Sequence, residues 1–113
     1  MLLITVIVIH SSVPALHDFD ILNFAVEQVE TDSDGRVFFI IKIDIRNNHQ
    51  PGKIVAQVIA LNKSGRVIKS HHIRGDFTAA EVRKLSLRTF LVRGEYTEFA
   101  EWRLKETIKY GSQ

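Results

Sequence analysis

His17, Asp18 and Asp20, in the stretch HDFD, form the tightest grouping of potentially reactive side chains in this 113-residue sequence. An imidazole and two carboxylates are ligands that a divalent cation accepts. The same three residues are also ordinary surface polarity in a loop, and no metal is expected on them. The stretch DSDG, Asp32 to Gly35, opens as a calcium loop does, but its twelfth position is Ile43 where such a loop needs a bidentate Glu. His71 and His72 are adjacent, and neighbours on a strand point to opposite faces, so they cannot share a metal there. His10 and His49 stand apart from any carboxylate grouping.

Covalent catalysis needs a hydroxyl or thiol held by a base. No G-x-S-x-G elbow presents any serine, and there is no cysteine. The absence of cysteine also excludes a disulfide framework and a thiolate zinc site. The six glycines are scattered singly, so no Gly-rich loop is available to cradle phosphate. No catalytic residue, cofactor or metal is expected, and the chain reads as a non-enzyme.

The remaining candidate is NNHQPGK, residues 47 to 53. Asn47, Asn48, His49 and Lys53 are the positions able to bind a ligand, and loops at the end of a β-sandwich are where binding sites are built. Connection alone also explains them, since Asn ties a loop to its own backbone and Pro51-Gly52 makes a turn. The spacing favours the connector.

The elements that position these residues are strands. RVFFIIKIDIRN alternates Val37, Phe39, Ile41, Ile43 and Ile45 with Phe38, Ile40, Lys42, Asp44 and Arg46, a period of two with one wholly apolar face. IVAQVIALN reads as a strand buried on both faces, returned by the turn NKSG into RVIKSHHI. TDSDG is a second turn, preceded by a strand from Ile21 that places Phe24 and Val26 on one face. Gly75-Asp76 predicts an interruption. TAAEVRKL carries a capping box, Thr78 with Glu81, and predicts a short helical turn near residues 78–84. Leu85, Leu87, Thr89 and Leu91 then alternate as a strand. Residues 95–110 alternate Trp102, Leu104, Glu106, Ile108 and Tyr110, which favours a strand; a helix with Phe99, Trp102 and Glu106 on one stripe is the rival. About seven short strands with turns every 8–12 residues predict an all-β, antiparallel immunoglobulin-like β-sandwich.

One domain fills the length, and 45% hydrophobic with 25% charged residues is a globular composition. Charge is uneven. Residues 1–35 hold six acids and no Lys or Arg (−6), whereas the rest holds fifteen bases and seven acids (+8). Either acidic early strands pair with basic later ones in one sheet, or the later strands make a surface for an anionic ligand or nucleic acid. The bases are spaced singly and no aromatic stacking platform is legible, which disfavours nucleic acid. Residues 2–9, LLITVIVI, are too short for a membrane-spanning helix and rich in β-branched residues. They read as a first edge strand, or as the remnant of an export or anchor segment. An uncharged edge strand invites pairing, so a protein partner or a homodimer through an edge strand is expected.

From Ile40 the chain runs IIKIDIRNNHQPGKIVAQVIALNKSGRVIKS: apolar strand, Asn-rich corner, buried strand, polar turn ending in Gly, return strand. In this it resembles the FxLYD-type family and related bacterial domains of unknown function, over roughly residues 37–91. Asn47, Asn62, Gly65 and the hydrophobic pattern carry the likeness; at the F-x-L-Y-D positions stand Val58, Ile59, Ala60, Leu61 and Asn62. The resemblance implies an extracytoplasmic immunoglobulin-like module, attached behind a membrane segment or lipid anchor, that binds or scaffolds and has no catalytic residues. The expected function is therefore protein–protein contact in the cell envelope, at the periplasmic or membrane-anchored side. A cytoplasmic module binding an anionic ligand is the alternative.

Overall fold

Alternating apolar residues become extended chain throughout the protein. The computed structural model describes residues 4–7 and 17–110. These form β1 (Ile4–Ile7), β2 (Phe19–Thr31), β3 (Val37–Asn47), β4 (Gly52–Asn62), β5 (Val67–Phe77), β6 (Val82–Leu91), α1 (Arg93–Glu98) and β7 (Phe99–Tyr110). All pairings are antiparallel. Sheet A has the order β1-β2-β3-β6 and sheet B the order β5-β4-β7. The result is the all-β sandwich that the period-two pattern predicts.

The core lies between the sheets. Val37, Phe39, Ile41, Ile43 and Ile45 of β3 are all buried and face Ile54, Ala56, Val58 and Ala60 of β4. Burial of this apolar area, worth about 25 cal/mol per Å², is the main stabilising term. Phe39 anchors one end, with its ring centroid 5.4 Å from Trp102 and 5.6 Å from Phe99. The Trp102 indole N–H is buried without a partner among the described residues, a local cost accepted for that packing.

Both hairpin turns use one device. In the β2–β3 turn, Asp32 Oδ1 accepts from the N–H groups of Asp34 and Arg36, and Gly35 has φ +83°. In the β4–β5 turn, Asn62 Oδ1 accepts from Ser64 and Arg66, and Gly65 has φ +84°. A short polar side chain first and a glycine three residues later is the sequence such turns demand.

Two local expectations are corrected. Gly75-Asp76 does not interrupt β5, which runs to Phe77. Gly75 is there for packing: a Cβ would lie 2.8 Å from the Leu85 side chain of the opposite sheet. The helical turn near 78–84 stops at its first contacts. Glu81 accepts from the N–H of Thr78, but Ala80 takes φ +60° and the chain leaves as β6. Among the described residues the one helix is α1, where Glu95 reaches back to the Val92 N–H at 2.9 Å. For residues 95–110 the favoured strand forms as β7 over Phe99–Tyr110; the helix is confined to α1 before it, so the helical stripe of Phe99, Trp102 and Glu106 does not occur. Within the expected first strand, Ile4–Ile7 pairs with Phe24–Glu27 of β2; the other residues of 1–9, and His10, lie outside the described residues.

Candidate functional site

The corner loop is tied into the fold by its two asparagines. Asn47 is fully buried. Its Nδ2 donates to the carbonyls of Gln50 and Thr78, and its Oδ1 accepts from Lys109 Nζ at 2.9 Å. One side chain thus joins the end of β3, the loop, the β5–β6 connection and β7. Asn48 donates to the His17 carbonyl and to Asp20 Oδ2, and accepts from Arg46 Nε. The Arg46 hydrogen bond, then that of Asn48, hold the Asp20 carboxyl below its ordinary range. His49 is exposed, and Lys53 leaves the loop altogether, pointing outward from β4. Among the described residues no three His, Asp or Glu side chains gather as a metal site. The Asp32 carboxylate is filled by Arg36 Nε and two backbone N–H groups.

The outer face of sheet A satisfies itself. Acidic β2 lies beside basic β3 and, beyond it, β6: Asp20 pairs with Arg46 at 2.9 Å and Glu30 with Arg88 at 3.2 Å. An aromatic pair unread in the sequence also forms there. Phe38 and Phe90 are 52 residues apart, yet they stand opposite in the β3–β6 register with centroids 5.4 Å apart. Only the register reveals them. Their faces are already covered, by Arg88 at 4.8 Å, Arg36 at 5.4 Å and Lys69 at 4.4 Å from a ring centroid.

The outer face of sheet B differs. Three rows of directly opposed residues cross it: Asp76–Lys53–Tyr110, Arg74–Val55–Ile108 and His72–Gln57–Glu106. Between them lies a shallow depression of about 510 Å³ lined by Lys53, Val55, His72, Arg74 and Tyr110. Ile108 is 41% and Tyr110 54% exposed, side by side on one strand. Neither Lys53 nor Arg74 has an ion-pair or hydrogen-bond partner among the described residues. Asp76 stands across from Lys53 on the rim without pairing to it, and Glu106 bounds the upper end.

The two flanks of the sandwich differ as well. Where β5 packs against β6, side chains lace the sheets together. Lys69 Nζ donates to the Phe90 carbonyl at 2.6 Å and Arg83 Nη1 to the Asp76 carbonyl at 2.6 Å. The Thr89 hydroxyl and His71 Nε2 are 2.7 Å apart. Burial first, and the Lys69 charge second, push the His71 pKa down, so the imidazole stays neutral. On the other flank β7 packs across β2, and β1 extends sheet A one strand further. Among the described residues sheet B has no strand opposite β1, and none lies beside β7 on that side.

No family model, curated protein or solved structure matches this chain. Among the described residues no helix is long and apolar enough to cross a membrane.

Proposed function

We propose that this domain is a non-enzymatic binding module that makes a protein–protein contact through the outer face of sheet B, at its β7 side. The observation carrying this reading is the pairing of Ile108 and Tyr110, exposed on one strand, with Lys53 and Arg74 beside them, two cations that lack partners among the described residues. Exposed apolar residues gathered in one place mark interaction surfaces, whereas single ones need no explanation. Tyrosine and arginine are also the residues enriched in contact energetics. His71 meets the Thr89 hydroxyl between the sheets and stacks on Trp102, away from the depression.

The likeness of residues 37–91 to FxLYD-type modules supports a place in the cell envelope, with a membrane or lipid anchor outside the sandwich. A cytoplasmic module binding a small anion through the same cations is the second reading, favoured by Lys53 and Arg74 alone. A photoreactive amino acid placed at Tyr110, and separately at Ser86 on the outer face of sheet A, tests the first reading in the source cells. Covalent capture of another protein from position 110 and none from position 86 is expected. Capture from 86, or from neither, contradicts it.

A further inference from the structure

We infer that the free edge of β7 accepts an added β-strand from a protein partner, with an acidic residue of that strand held at the Lys53–Arg74 depression. The inference rests on the docking face proposed above and names what docks there. Topology supplies the first argument. Among the described residues sheet A has four strands and sheet B three, and the unfilled place is beside β7, facing β1. A strand seated there continues the ladder of sheet B and covers the overhang of sheet A, so its inward side chains must be apolar.

The edge itself supplies the second. Edge strands avoid unwanted pairing with bulges, proline or covering side chains. β5 and β6 have their covering side chains in Lys69 and Arg83. β7 has register shifts against β4 in its first half, but Glu106–Tyr110 runs in unbroken register with Lys53–Gln57 and contains no Pro or Gly. Five residues of regular edge are a usual strand length. Ile108 and Tyr110 are the outward side chains of that stretch, and an added strand lies next to them and removes them from water.

Charge selects the occupant. Lys53 is directly opposite Tyr110, and Arg74 is the diagonal neighbour of Lys53 across β4–β5. Diagonal positions on a sheet are about 7–8 Å apart, within reach of one carboxylate held by two long side chains. A second copy of the chain fits less well. Two-fold pairing of β7 with itself centred on Thr107 opposes Lys105 to Lys109, and centring on Glu106 opposes that residue to itself, like charges in both cases; centring on Ile108 opposes no like charges, but it sets Tyr110 against Glu106 and brings only that one carboxylate towards the Lys53–Arg74 depression.

The test uses an acetylated, amidated peptide of alternating valine and glutamate, ten residues long, titrated into the ¹⁵N-labelled protein at 50 mM salt. Shifts are expected at Glu106–Tyr110 and at Lys53 and Arg74, with slowed amide exchange on β7. The Lys53→Glu, Arg74→Glu double variant, which keeps its fold because both residues are exposed, should bind roughly tenfold more weakly. A valine–lysine peptide should bind weakly in the same way. Ile108→Lys should weaken binding while leaving the Trp102 emission unchanged. Four results overturn the inference: shifts confined to the Arg36–Arg88 face, equal affinity in the double variant, self-association of the free protein through β7, or a single-stranded oligonucleotide competing at the same residues with steep salt dependence. If position 110 captures no protein in cells while the peptide still seats on β7, the edge site stands and the docking partner of the preceding section does not. If a partner is captured but charge reversal leaves its affinity unchanged, the acidic occupant is wrong and the docking face is right.

Discussion

The β5–β6 flank and the β7 flank of this sandwich are built from the same kinds of strand and finished differently. On the first, lysine and arginine reach across the gap and donate to backbone carbonyls of the opposite sheet, and a neutral histidine meets a threonine hydroxyl. On the second, exposed Ile108 and Tyr110 border a strand edge with nothing beyond it in the described residues. Lysine on an edge is a common defence against unwanted pairing. β7 carries Lys105 and Lys109 too, but Lys109 is turned to Asn47 and Gln50, and among the described residues no side chain of Glu106–Tyr110 donates to a backbone carbonyl of the opposite sheet as Lys69 and Arg83 do.

The largest expected effect removes what both flanks share. Phe39 touches Trp102 and Phe99 of β7 on one side and stands opposite Thr89 of β6 in register. Phe39→Ala should cost about 3–5 kcal/mol in urea denaturation, from lost transfer energy plus a cavity. Loss of less than about 1 kcal/mol would contradict the core described here.

Next comes the tie that holds the end of β7. Asn47→Ala removes one of the two acceptors of Lys109 Nζ and the amide donor shared by the Gln50 and Thr78 carbonyls, which keep Lys109 and the Glu81 N–H respectively, and should cost about 1–3 kcal/mol. Amide exchange should rise more across Glu106–Tyr110 than across β6, because Lys109 keeps only its bond to Gln50. A uniform rise would mean that Asn47 matters only to the loop.

The laced flank should respond to pH. Because the folded pKa of His71 is depressed, the unfolded chain takes the proton first, near the ordinary value of about 6.5. Its contribution to stability is complete above that pH and is lost as pH falls toward the depressed value. Denaturation at pH 7.5 and 5.0 should show this decline, and His71→Gln should flatten it. Thr89→Val should cost about 1 kcal/mol at neutral pH through the lost hydrogen bond. The smallest effect on folding belongs to the open flank: Ile108→Lys should change stability by less than about 0.5 kcal/mol.

Much of this fold was legible in the sequence, because its causes are local. Five alternating apolar residues name the core face of β3, and Asp32 with Gly35 and Asn62 with Gly65 name both turns. What was illegible depends on register. Phe38 and Phe90 meet only once β3 and β6 align, as do Lys53 and Tyr110. Gly75 reads as a breaker until Leu85 arrives from the other sheet. Thr78 and Glu81 make the start of a helix, and tertiary pairing of β6 with β3 ends it at Ala80. Of the four residues read as a ligand loop, Asn47 and Asn48 are engaged inside the fold, and Lys53 faces the depression from a strand.

The central claim is that the open flank is where another chain binds. Intermolecular backbone nuclear Overhauser effects in the complex with the alternating valine–glutamate peptide test it most directly. Contacts from peptide Hα and N–H protons to Glu106–Tyr110 and to no other strand are the predicted result. Contacts running along Val67–Phe77 or Val82–Leu91 instead would show that the laced flank pairs with partners, and would contradict the account.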